Sequence, residues 1–285
     1  MRKKIGTHKK LIVFITIVLS LLFFVYFQNN SIVVTNQLVT SEKIPESFRD
    51  YKIVHLSDLH SKAFGRDQNK LVRKVESENP DMIVFTGDLV DSRKFDADIS
   101  IKLMEELIDI APIYYVTGNH EWWSGEYVLI EEKLKGIGVE VMRNTRNEVI
   151  LNNESIYIFG IDDPSQFNSP SEQTIVEEAI VEATDGNIDE SYRVLLSHRP
   201  ELFSTYVKYK FDLVFSGHAH GGQVRVPFLG GLIAPNQGLL PAYTSGKYTV
   251  DHTTMIVNRG LGNSIIPLRI FNRPEIVVVT LLPSN

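Results

Sequence analysis

Three times between Tyr51 and Glu121 an apolar run of strand length ends in a short polar loop. Tyr51-Lys52-Ile53-Val54-His55-Leu56-Ser57 leads to Asp58-Leu59-His60, Met82-Ile83-Val84-Phe85 to Thr86-Gly87-Asp88, and Pro112-Ile113-Tyr114-Tyr115-Val116 to Thr117-Gly118-Asn119-His120-Glu121. Between them, Leu71, Val72 and Val75 recur at helical spacing until Asn79-Pro80, and Leu103, Leu107 and Ile108 mark one face of a helix near 99–108. Successive loops are roughly thirty residues apart, the size of a strand–helix–strand unit. Right-handed crossovers then bring the three loops to one edge of a parallel sheet, where ligands bind in such folds.

A helix near 127–135 closes at Gly136. The strand candidates at 139–142, 148–151 and 156–161 are so closely spaced that they predict hairpins and a more antiparallel, meander-like second half. Residues 172–183 read as a helix. Tyr192-Arg193-Val194-Leu195-Leu196 ends in Ser197-His198-Arg199-Pro200, and Phe211-Asp212-Leu213-Val214-Phe215 precedes Gly217-His218-Ala219-His220-Gly221-Gly222. Strands at 254–257 and 276–281 complete the pattern. The expectation is two packed sheets with helices outside, in one domain spanning 51–285.

Every strand exit on that edge offers an oxygen or nitrogen donor: Asp58 and His60, Asp88, Asn119, His198, His218 and His220. Five of the eight histidines lie in these loops, counting His120, whereas His8, His55 and His252 do not. Alternate residues of an extended chain point the same way, so His218 and His220 can reach toward one place, and the glycines beside them let the backbone approach a bound group. Seven donors oversupply one metal ion. They suit two divalent ions sharing a carboxylate, and nitrogen and oxygen ligands match manganese, iron or zinc. No cysteine occurs, which excludes disulfides, thiolate ligands and cysteine nucleophiles.

Charge is unevenly distributed. The 285 residues carry a net charge of −6, but five of the 29 basic residues precede Leu11 and no acidic residue precedes Glu42. The remaining 24 basic residues therefore face all 35 acidic ones, a balance of −11. So acidic a domain is a poor polyanion binder, and no nucleic acid partner is expected. Residues 11–27 contain no charge, and as a helix they span roughly 26 Å, enough for a bilayer core. They read as a single-pass, uncleaved transmembrane anchor, with 1–10 as a basic cytoplasmic tail, 28–50 as a stalk or edge strand, and the domain on the extracytoplasmic face of the cell membrane.

The set Asp58-x-His60, Gly87-Asp88, Gly118-Asn119-His120-Glu121, His198 and Gly217-His218-x-His220 resembles the calcineurin-like metallophosphoesterase family in order and spacing, from about Lys52 to Leu281. That resemblance implies a four-layer α-β-β-α sandwich with the metals at the sheet edge. It also implies that Asp58, His60 and His220 hold one ion, that Asn119, His198 and His218 hold the other, and that Asp88 bridges them. A narrower likeness lies in Gly217 through Pro227, Asn258-Arg259-Gly260-Leu261-Gly262 and Pro267-Leu268-Arg269. With the N-terminal anchor, these stretches resemble the membrane-attached bacterial branch of the family, which implies a phosphoester substrate that is lipid-like or part of the envelope.

The expected activity is hydrolysis of phosphodiester or pyrophosphate bonds, with two cations resolving how an acidic domain handles phosphate. His120 directly follows a ligand and is the expected proton donor to the leaving group, oriented by Glu121. Its other reading is phosphate binding without proton transfer. Arg225 and Arg259 follow a glycine-rich turn or a strand end and are candidates for substrate charge, against a reading as surface arginines. At least one of Trp122 and Trp123 is expected in the core. His55 reads as a satisfied core histidine, and His252 as a turn residue. The alternatives to a diesterase are a phosphomonoesterase, including a protein phosphatase, and a metal-dependent binding module without turnover.

Overall fold

The computed structural model describes residues 2–167, 171–186, 190–263 and 267–284, with side chains from residue 8 onward. Helix α1 (Arg2–Asn30) is followed by strand β1 (Val33–Ser41). Next come β2 (Lys52–Leu56), α2 (Asn69–Glu78), β3 (Met82–Thr86), α3 (Ala97–Ile108), β4 (Ile113–Val116), α4 (Asn119–Ser124), α5 (Tyr127–Gly136) and β5 (Glu140–Val141). The second half contains β6 (Thr145–Leu151), β7 (Glu154–Gly160), α6 (Glu172–Thr184), β8 (Tyr192–Leu196), α7 (Phe203–Lys208) and β9 (Leu213–Ser216). Two small hairpins, β10 (Arg225–Val226) with β11 (Gly230–Gly231) and β12 (Ile233–Ala234) with β13 (Gly238–Leu239), precede β14 (Gly246–Val250), β15 (Thr253–Val257) and β16 (Glu275–Pro283).

Two six-stranded sheets result, ordered β1-β16-β2-β3-β4-β5 and β14-β15-β9-β8-β7-β6. Alternation along the strands decides the layers, because successive side chains leave opposite faces and each face here is covered. In β3, Met82 and Val84 enter the core between the sheets, while Ile83 and Phe85 meet Leu71, Val75, Leu103 and Leu107 of α2 and α3. In β9, Leu213 and Phe215 face the first sheet, while Val214 meets Val176, Ile180 and Tyr206 of α6 and α7. The order helix, sheet, sheet, helix is the four-layer sandwich. A register slip of one residue would exchange these faces, at roughly 1.5–3 kcal/mol per large apolar side chain displaced.

In the first sheet β2, β3, β4 and β5 run parallel, so their exits share an edge. The second half corrects the meander expectation. In the second six-stranded sheet β7, β8, β9 and β15 are parallel neighbours, and the antiparallel pairs are those at its rims, β6–β7 and β14–β15. Helices α6 and α7 return the chain to the start of the next strand, while residues 140–141 join β4 in the first sheet instead of forming a hairpin. The exits of β8 and β9 therefore join those of β2, β3 and β4.

From His8 to Asn30, α1 is long and apolar enough to cross a membrane. Its C-terminal turns rest on the domain: Phe24 meets Phe271 with ring centroids 5.6 Å apart, Arg273 lies over Phe27, and Lys62 Nζ donates to the carbonyl of Asn29.

Candidate metal centre

The donors sit where the chain turns sharply on leaving a strand. Asp58, His60, Asp88, His218 and His220 all adopt left-handed backbone, with φ of 52°, 49°, 53°, 61° and 47°. That conformation costs residues with a Cβ about 1 kcal/mol or more each, and such strain gathers at functional sites. Two glycines allow the loops to close on one another. A Cβ on Gly118 would lie 2.4 Å from Asp88 Oδ1, and one on Gly217 would lie 1.9 Å from Ser57 Oγ and 2.5 Å from Asp58 Oδ2.

Asp88 occupies the middle. Its Oδ2 is 3.5 Å from His60 Nε2 and 3.3 Å from His198 Nε2, while Oδ1 accepts the N–H of His120 at 2.8 Å. On one side His220 Nε2 lies 3.2 Å from Asp58 Oδ1 and 3.0 Å from His60 Nε2. On the other, His198 Nε2 lies 3.2 Å from Asn119 Oδ1 and 3.1 Å from His218 Nδ1. Ligand atoms of Asp58, His60, Asp88 and His220 all fall within 4.8 Å of one another, as do those of Asp88, His198 and His218. The structure thus brings all seven sequence-derived donors together, every one of them buried.

This donor set fits divalent cations. His198 Nδ1 lies 2.6 Å from the carbonyl of Thr86, an acceptor, so Nδ1 holds a proton and Nε2 is the nitrogen turned to Asp88 and Asn119. Imidazole nitrogens 3.0 and 3.1 Å apart beside carboxylate oxygens make two groups of converging nitrogen and oxygen donors, the kind of set that divalent cations take. Burial opposes ionisation of Asp58 and Asp88, but the neighbouring imidazoles, His220 for Asp58 and His198 for Asp88, hold both below the usual carboxylate range. Burial likewise opposes charge on His198, yet Asp88 outweighs it and lifts the group to about 10. The same field attracts a metal ion in place of that proton.

Several residues were not singled out from the sequence. Asp91 Oδ2 lies 3.8 Å from His60 Nδ1, so a second carboxylate of the β3 exit flanks the first donor cluster. Ser92 donates its backbone N–H to His120 Nδ1 at 3.0 Å. Ser92, and not Glu121, therefore orients His120. Glu121 accepts instead from the backbone N–H groups of Asp88, Gly118 and Val90 at 2.8, 2.6 and 3.1 Å, tying the exits of β3 and β4 together. Burial and the nearby Asp88 push its carboxyl up to about 7 against those three donors. Behind His218, the buried Arg199 forms a two-bond pair with Asp163 and reaches within 3.2 Å of His218 Nε2. Asp91 lies three residues beyond Asp88 in the loop leaving β3, a signal that was available; Ser92 acts through its backbone N–H and Glu121 on backbone N–H groups, which no side-chain pattern reveals.

Arg225 and Arg259 flank the loop that carries His218 and His220. Arg225 Nη1 donates to the carbonyl of Gly221 at 2.9 Å and to Thr244 Oγ1 at 3.2 Å, and Arg259 pairs with Glu275. Trp122 is half-buried, packed on Tyr127 with centroids 4.3 Å apart and bonded to Thr117 Oγ1, whereas Trp123 is exposed 5.4 Å from the His120 ring. His55 is buried with its Nε2 2.8 Å from Thr86 Oγ1, and His252 lies in the exposed β14–β15 turn.

Residues 51–222 match the calcineurin-like phosphoesterase family. The chain belongs to that family. It is 31% identical to the uncharacterized metallophosphoesterase YkuE of Bacillus subtilis over 91% of this chain and 89% of that one. It is 28% identical to the phosphodiesterase YaeI of Escherichia coli, over 81% and 82% of the two chains. A transmembrane protein with metallophosphoesterase domain from Danio rerio is 31% identical, over 84% of this chain and 55% of that one. Among solved structures, TT1561 of Thermus thermophilus shares the fold with a TM-score of 0.51 at 12% identity, over 74% of this chain and 90% of that one. Members of the family use a dinuclear divalent metal site, and this metallophosphoesterase is a metal-dependent phosphoric ester hydrolase with matching ligand clusters.

Proposed function

We propose that this metallophosphoesterase is a membrane-anchored enzyme hydrolysing phosphodiester or pyrophosphate bonds of lipid-like or envelope substrates. The carrying observation is that Asp88 belongs to both donor clusters, the arrangement that two ions sharing one carboxylate require. Asp58, His60, Asp88 and His220 would hold one ion, and Asp88, Asn119, His198 and His218 the other. When bound, such ions supply Lewis acidity to the phosphoryl group and a nucleophilic water at neutral pH.

The rest of the chemistry falls to the chain. Because Nδ1 of His120 accepts the Ser92 N–H, the ring proton resides on Nε2, and to that atom we assign donation toward the leaving oxygen. Asp88 fixes the ring's backbone through its bond to the His120 N–H. Arg225 and Arg259 are assigned to substrate phosphate through the guanidinium donors that their loop contacts leave free. The diester preference is supported by the name of YaeI, and membrane placement by α1 and the zebrafish relative. The basic residues ahead of Leu11 keep that end cytoplasmic and put the domain outside.

Metal analysis of the purified full chain, combined with rates on bis(p-nitrophenyl) phosphate and p-nitrophenyl phosphate, tests the reading. Two ions per chain and a faster diester rate are expected. A dominant monoester rate would reject the diesterase assignment. Two bound ions without hydrolysis of either compound would instead mark a binding module.

A further inference from the structure

Between Arg225 and Lys247 lie 21 consecutive residues without one Asp, Glu, Lys, Arg or His, in a chain that is 22% charged. They form the two small hairpins, and their large apolar side chains face outward: Phe228 is fully exposed, Leu239 is 79% exposed, and Leu229 and Leu240 are similar. Phe228 and Leu240 also hold left-handed backbone, with φ of 70° and 51°, where glycine or asparagine is the usual occupant and a bulky residue is an outlier. The chain keeps these side chains in solvent against both hydration and backbone preference.

Their position relates them to α1. The bridge between Val224 and Ile270 lays the start of this segment beside Phe271, itself exposed and left-handed, and Phe271 is the ring on which Phe24 of α1 rests. The segment thus begins beside the place where α1 meets the domain. The segment also borders the metal centre, since Asn236 Oδ1 lies 3.4 Å from His218 Nε2 and Leu232 N–H bonds to the carbonyl of Gly222.

We infer that residues 226–240 form a second contact with the bilayer, in which Phe228, Leu229, Leu239 and Leu240 enter the leaflet beside α1 and hold the metal centre at the lipid surface. An uncharged, outward-facing apolar segment is what the membrane interface accepts without a desolvation penalty. It deepens the reading above, because a centre so held meets phosphoesters of lipid headgroups in its own membrane. The inference rests on α1 being a membrane anchor.

The chain has no cysteine, so single-thiol variants of the full chain can each carry one environment-sensitive fluorophore. Phe228→Cys and Leu239→Cys report on the segment, Ile17→Cys on α1, and Ile150→Cys on an exposed position of β6 at the far rim of the second sheet. The proteins are reconstituted into vesicles of phosphatidylethanolamine and phosphatidylglycerol, with or without a nitroxide-bearing lipid. Loss of emission to the nitroxide at 228 and 239, and none at 150, is expected. Quenching at 17 with none at 228 and 239 overturns the inference and leaves the anchor standing. Shielding at 228 and 239 that needs no lipid points to a second copy of the chain and also overturns it. Absence of quenching at 17 removes the anchor on which the inference rests and overturns both. Should Phe228→Cys not fold, Leu240→Cys reads the same surface.

Discussion

Asp88 is the residue whose loss should be felt twice. Asp88→Ala removes the carboxylate that the Asp58 and His198 clusters share, so metal content should fall from two ions to less than one per chain, with hydrolysis lost, by elemental analysis and rate on one preparation. His120→Ala separates chemistry from binding: two ions should remain while the rate falls roughly 10²–10⁴-fold, the usual contribution of a positioned proton donor. If metal and rate fell together, the donor role would be withdrawn. Glu121→Gln keeps one acceptor oxygen for the N–H groups of Asp88 and Gly118 but turns its NH2 on the N–H of Val90, and should destabilise the protein by about 1–3 kcal/mol in chemical denaturation. At this scale the donor types were legible, because a ligand is known by its chemistry and by its place at a strand end. Asp91 and Ser92 were not singled out, and Glu121 was given the wrong partner, because their work consists of contacts between loops remote in sequence.

At the scale of elements, the strand exits are the working parts. Gly217→Ala should abolish binding at the Asp58 cluster, since its Cβ meets Ser57 Oγ at 1.9 Å and Asp58 Oδ2 at 2.5 Å. Gly136→Ala, whose Cβ meets nothing within 4 Å, should leave metal content unchanged. Competition against a chromogenic chelator measures both. The alternating runs that became β2, β3 and β4 were readable, since apolar periodicity and crossover length are local properties. The second sheet was misread because strand direction is set by what lies between strands. Spacing identified the β6–β7 hairpin, but α6 and α7 make β7, β8 and β9 parallel.

For the whole molecule, the interior between the sheets imposes a pH dependence. Burial pushes His55 down from 6.5 to about 3, so below pH 6.5 the unfolded chain takes up a proton that the folded chain refuses. Stability is therefore full above about pH 6.5 and declines as pH falls toward 3, by up to ~1.4 kcal/mol per unit from this group. Chemical denaturation in a chelator should show a shallower acid slope for His55→Gln than for the native chain. Protease added to intact cells should remove the domain if the proposed orientation holds. The sequence by itself determined the inventory: which side chains can bind metal, which runs are strands, and that residues 11–27 suit lipid better than water. Only the tertiary structure decided that His60 and His220, 160 positions apart, stand 3.0 Å from each other and that Asp88 lies between the two clusters. Such convergence depends on the register of two packed sheets and on left-handed turns at their edge. Both are fixed by contacts that no local stretch of chain contains.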